Sequence, residues 1–156
     1  MSHLPLKSSE SEALKQAVEK PPLSPFVTRA RSVFKAMVMI FGICILIQVF
    51  LAGLALFWDS AQWAGHTGFS RVLIVVSILV LALSFIARMP RTFRLRSAGL
   101  FGILLLIAIS AALPSEIGYL SALHPVLALL LFFGSVSLLK KTGALQNENR
   151  QRSGDA

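Results

Sequence analysis

Two histidines at the mouths of apolar runs, His66 and His124, are the side chains of this 156-residue chain best suited to chemistry. A neutral imidazole offers one ring nitrogen to a metal, and the bond made by the other nitrogen decides which one is free. Gln48 lies inside another apolar run, Arg71 follows His66 on the same run, and Cys44 is the sole cysteine. One cysteine permits neither an intrachain disulfide nor a thiolate cluster. Copper or zinc would need more ligands than two histidines, and only Cys44, Asp59 or Glu116 stands ready to be added to them. There is no nucleophile beside a base, no carboxylate pair and no phosphate-binding loop, so hydrolytic and phosphoryl-transfer chemistry find no support. His3 lies in a polar head and requires no function.

The elements that must position these residues are apolar. Hydrophobic residues make up 55% of the chain and charged ones 14%, against roughly 25% charged in an average soluble domain. Four uncharged runs stand out: Ala36 to Phe57, Val72 to Ala87, Ser97 to Ser115 and Ile117 to Leu139. About 20 apolar residues cross a hydrocarbon core of about 30 Å as a helix. The second run is short and must borrow from Gly65 to Arg71. Lipid admits only helices or closed barrels as spanning structures, and these runs lack the alternation of barrel strands. The expected fold is therefore all-α, an up-down four-helix transmembrane bundle.

Three segments follow: a polar tail over 1–35, the four-span bundle over 36–141, and a disordered tail over 142–156. The first span is too long, and too far from the start, for a cleaved signal sequence. In the head, Ser9 and Glu12 have capping-box spacing and predict a transient helix over 9–20. Pro21-Pro22-Leu23-Ser24-Pro25 ends it.

Orientation follows from charge. Of the 15 Lys and Arg residues, all but Arg71 fall in the two tails or the loop between spans two and three. The positive-inside rule then makes both termini cytoplasmic. Basic residues that flank spans serve topology and anionic lipid, so the net charge of +8 does not imply nucleic acid. Trp58 and Trp63 suit an interfacial aromatic belt on the outer side. Asp59 and Glu116 read as solvated loop carboxylates there.

At 100° per residue, His66, Ser70, Ser77 and Ser84 fall within about 40° of one another on span two. His124, Ala128, Leu131 and Ser135 share a face of span four, and Cys44, Gln48, Ala52, Ala55 and Asp59 share one of span one. Such stripes let membrane helices approach closely. They also aim both histidines at the bundle axis. Spans two and four sit at diagonal corners, roughly 11 to 14 Å apart, so two inward imidazoles can reach one metal between them. Haem brings four nitrogens of its own and needs only the axial pair. Metal ligation by His66 and His124 to a b-type haem is the expectation.

Two geometric expectations qualify it. Aligning the cytoplasmic ends of spans two and four leaves the histidines about six residues, roughly 9 Å, out of level. A deeper span two would correct this and carry Arg71 into the hydrocarbon, where a haem propionate is a suitable bidentate partner; snorkelling to the headgroups is the alternative. Pro125 requires that span four either starts at His124 or kinks there, and the length of Ile117 to Leu139 favours a kink.

The segment Gln48-Val49-Phe50-Leu51-Ala52-Gly53-Leu54, then His66, then Ala122-Leu123-His124-Pro125-Val126, resembles a family of small four-span bacterial membrane proteins of unassigned function. The resemblance covers about Phe34 to Lys141. More distantly, the chain is similar to one half of haem A synthase, in which histidines on the second and fourth helix of a half bind a b-type haem on the outer side. That likeness implies His66 and His124 as axial ligands and Gln48 as a polar neighbour. The chain has one half rather than two, and Asp59 to Gly65 lacks the cysteines many synthases carry there, so synthase activity is not implied.

The reading from sequence is a multi-pass membrane protein in contact with lipid, binding haem b between helices two and four. It would pass electrons between a membrane quinone and an outer redox partner. The alternative is a cofactor-free accessory or assembly subunit, in a homo-oligomer or a membrane complex, whose small-residue stripes are helix contacts. A small transporter ranks third, because no internal repeat is evident.

Overall fold

A computed structural model describes residues 24–113 and 115–154. Helix α1 spans Pro25–Phe57, α2 Trp63–Ile86, α3 Arg91–Ala111 and α4 Leu123–Gly154, with 3₁₀ turns at Ser60–Gln62 and Ser115–Ala122. Each helix packs on its neighbours in sequence, and α4 closes the ring against α1. This is the up-down four-helix bundle the apolar runs predict. All four helices are long and apolar enough to cross a membrane.

The proline-rich segment ends by starting a helix. Pro25 occupies the first position of α1, where a missing N–H costs nothing. Ser24 caps it, Oγ accepting from the Val27 N–H at 3.4 Å. Residues 25–35, expected within the polar tail, are thus the first turns of α1. The helix predicted over 9–20 and His3 lie outside the described residues. Between α1 and α2, the Asp59 carboxylate accepts from the Ala61 N–H at 2.9 Å, so it caps the short turn as well as facing water.

Arginines close the link between α2 and α3. Arg88 adopts φ 46°, a left-handed conformation that costs a side-chain-bearing residue roughly 1–2 kcal/mol. Arg31 on α1 reaches across, Nε donating to Ala87 O at 3.4 Å and Nη2 to Arg88 O at 3.3 Å. From the far side, Arg94 Nε donates to Met89 O at 2.8 Å. Ala87 and Met89 are fully buried beneath this clasp. Cations placed at the end of a helix satisfy carbonyls that have no helical partner.

Two expectations for the last span are corrected. The α-helix begins at Leu123 without a Pro125 kink, so Pro125 stands in the first turn, where its N–H is not needed. The length a kink was to supply comes from the opposite end: α4 runs to Gly154, about 48 Å at 1.5 Å per residue for its 32 residues. Residues 142–154, expected as a disordered tail, are helical. Thr142 is fully buried, its hydroxyl donating to Leu138 O at 2.8 Å.

The core is a column of Phe34, Val38, Phe41 and Ile45 from α1 against Leu73, Val80, Leu100, Leu104, Leu131 and Leu138. Interleaved serines Ser77, Ser84, Ser97, Ser110 and Ser135 are buried, each donating to a carbonyl of the preceding turn of its own helix. A hydroxyl satisfied within its own helix asks nothing of the neighbour and lets backbones approach. Gly134 carries this furthest, since a Cβ there would lie 2.7 Å from Leu100 Cδ2.

Among the described residues, Arg29, Arg31, Lys35, Arg88, Arg91, Arg94, Arg96, Lys140 and Lys141 gather at the end of the bundle that holds the start of α1 and the α2–α3 turn. Arg71 belongs to the opposite half.

Candidate functional site

Near the other end, the helices stand apart around a cavity of about 360 Å³, to which all four contribute. Gln48 comes from α1, His66 and Ser70 from α2, Ala108 and Ala111 from α3, and His124 and Ala128 from α4. Alanines on α3 and α4 leave the space; leucines and isoleucines, among them Leu73, Leu104 and Leu131, line its inner part.

The structure brings His66 and His124 together across this cavity. Their ring centroids are 6.3 Å apart and the ring planes are inclined by 48°. The 9 Å difference in level expected from sequence does not arise. That figure assumed that α2 and α4 end at the same depth, whereas α4 extends well past Leu139 and is free to place its first turn beside that of α2.

Each imidazole is held through Nδ1. For His66, Nδ1 lies 3.1 Å from Gln48 O. A carbonyl only accepts, so Nδ1 carries the proton and Nε2 of the neutral ring keeps its lone pair. Gln48 Nε2 returns a bond to His66 O at 2.9 Å, and Trp63 packs edge-on against the ring at a centroid distance of 5.5 Å. His124 Nδ1 lies 3.5 Å from Ser110 Oγ. Ser110 Oγ donates to Ile107 O at 2.8 Å, and Ser121 Oγ donates to Ser110 O at 2.8 Å. The bond to Gln48 O fixes the orientation of the His66 ring, and Ser110 Oγ is the polar neighbour of His124.

Gln48 Oε1 is buried and has no hydrogen-bond partner among the described residues. An unpaired acceptor in a cavity wall calls for a donor from whatever fills the space. No group of three or more His, Cys, Asp or Glu side chains converges among the described residues. His66 and His124 are the imidazoles in the cavity wall.

Of the four residues singled out from sequence, Gln48, His66 and His124 meet at the cavity. Arg71 does not: it is exposed and is not part of the wall. At 100° per residue the five steps from His66 carry it well off the histidine face, so it has no place beside the imidazoles. Cys44 is buried in the core, and the Glu116 side chain is outside the described residues. Sequence reasoning missed Ser110, the one polar side chain between Gly102 and Ala112, a signal that was available. It also read Trp63 as an interfacial anchor only.

Fold and cavity define a multi-pass, four-helix membrane protein. Residues 48–112 are similar to DUF6220, a family of unknown function. That stretch includes Gln48, His66 and Ser110 and stops before His124. No curated protein and no solved structure matches the chain. Nothing links it to haem A synthase, so that parallel rests on Gln48, His66 and His124 alone.

Proposed function

We propose that the cavity holds a b-type haem between α2 and α4, with His66 and His124 as axial ligands. The observation that carries this reading is the 6.3 Å separation of the two rings. A metal–imidazole bond of about 2.0–2.1 Å, together with about 1.1 Å from ring nitrogen to centroid on each side, gives the same spacing for two imidazoles on one ion. Planes that share the metal axis turn freely about it, so the 48° inclination is compatible. The His66 Nδ1 bond to Gln48 O supports it further, because it keeps the Nε2 lone pair of that ring available.

A bound haem supplies one-electron chemistry. This chain would hold it in an apolar wall, fix the His66 tautomer and exclude bulk water, the settings through which a protein tunes such a centre. We assign the basic end of the bundle to the cytoplasm by the positive-inside rule, in a bacterial inner membrane. On that orientation the histidines would lie near the outer face, and the reading is of electron transfer between a membrane quinone and an outer redox partner. The test is the absorption spectrum of protein purified in detergent from haem-sufficient cells. A Soret band that vanishes in His66→Ala and in His124→Ala is expected. A colourless wild-type preparation overturns the reading.

A second reading is favoured by the reciprocal bonds between Gln48 and His66. Polar pairs of this kind join membrane helices without any cofactor, as in an accessory subunit of a membrane complex or a homo-oligomer. On that reading His66→Ala costs only the helix contact with Gln48 and removes no absorption band, and His124→Ala leaves function intact.

A further inference from the structure

A second recess, of about 360 Å³, lies at the basic end and is lined by Phe133, Val136, Ser137, Lys140 and Lys141 of α4. Its chemistry changes along its length. Phe133 is 65% exposed and belongs to the apolar surface that lipid chains cover. Lys140 and Lys141 follow Leu139, the last residue of the apolar run. From α3, Arg96 Nη1 donates to Ser137 Oγ at 3.4 Å, which brings a guanidinium to the wall of the recess. Arg96 Nε is buried with no partner among the described residues. No carboxylate among the described residues pairs with Lys140, Lys141 or Arg96. Two lysines therefore line the recess and an arginine stands at its wall with no carboxylate partner among the described residues.

We infer that this recess binds an anionic glycerophospholipid. Its phosphodiester lies against Lys140 and Lys141, with Arg96 behind, and one acyl chain runs along Val136 and Phe133. Phosphate in a headgroup supplies the missing negative charge, and the apolar half of the recess suits the chain attached to it. A basic pocket beside transmembrane helices is a recurrent setting for such lipids. The inference is independent of what fills the histidine cavity.

The full chain is reconstituted in phosphatidylcholine doped with phosphatidylglycerol, and the lipids retained on release are counted by native mass spectrometry. Wild type is expected to retain phosphatidylglycerol in preference to phosphatidylcholine. At about fivefold per surface cation, Lys140→Gln with Lys141→Gln should lower the preference by roughly 30-fold. Arg29→Gln with Arg91→Gln removes the same charge from exposed sites at the same end and should leave it unchanged. Absence of preference in wild type overturns the inference, as does an equal loss in the control pair. Inorganic phosphate at matched ionic strength should displace nothing; displacement would reassign the recess to free phosphate. Both double variants change exposed side chains, and a helical far-ultraviolet spectrum for each excludes misfolding.

Discussion

Gln48 and His66 exchange hydrogen bonds across the α1–α2 interface, side-chain amide to backbone carbonyl at 2.9 Å in one direction and imidazole to backbone carbonyl at 3.1 Å in the other. One contact thus joins two helices and sets the tautomer of a candidate ligand. Gln48→Leu removes the amide half and leaves His66 O to its helical donor alone. Hydrogen bonds between membrane helices average about 0.6 kcal/mol and reach about 1.7. A loss of stability within that range is expected in unfolding titrations with sodium dodecyl sulfate; a variant as stable as wild type would show the clasp to be energetically idle.

Ser110 is the partner of His124 that sequence reasoning missed. In Ser110→Ala the imidazole loses its polar neighbour at 3.5 Å. Changing such an outer partner typically lowers metal affinity by 10- to 100-fold. On the haem reading proposed above, haem transfer to apomyoglobin should therefore quicken in this variant while its unfolding midpoint stays close to that of wild type. Unchanged transfer would remove Ser110 from the site.

Close packing between α3 and α4 depends on Gly134. Overpacking of a filled site typically costs 1–3 kcal/mol, and Gly134→Ala, with its Cβ 2.7 Å from Leu100 Cδ2, should fall at the lower end because a leucine methyl can turn aside. Pairing it with Leu100→Val should recover part of the loss, because the crowded methyl is withdrawn. Additive losses in the double variant would mean that the two residues do not press on each other.

The α2–α3 turn makes opposite predictions for two arginines. Arg88→Gly should raise stability by about 1 kcal/mol, since glycine adopts φ 46° without strain. Arg31→Gln should lower it by about 1 kcal/mol through the lost bonds to Ala87 O and Arg88 O. Arg29→Gln, which makes no such bonds, serves as the comparison. Thermal unfolding in one detergent ranks all three.

The architecture was legible before any coordinates. Four uncharged runs of near-spanning length, with basic residues flanking them, admit little other than an up-down helical bundle, because lipid tolerates no unsatisfied backbone. Helical periodicity also placed His66 and His124 on inward faces, since a period of 3.6 residues is a local property of the chain. Depth was not legible. Whether two inward histidines meet depends on how far each helix slides along its neighbour, and that is decided by contacts between helices such as Gly134 on Leu100 and Arg31 over the α2–α3 turn. Sequence order carries no measure of that slide, so the 9 Å mismatch was a reasonable sum on a wrong constraint. Only the packed bundle could turn two separate residues into one pair 6.3 Å apart, with Arg71 left on the outside.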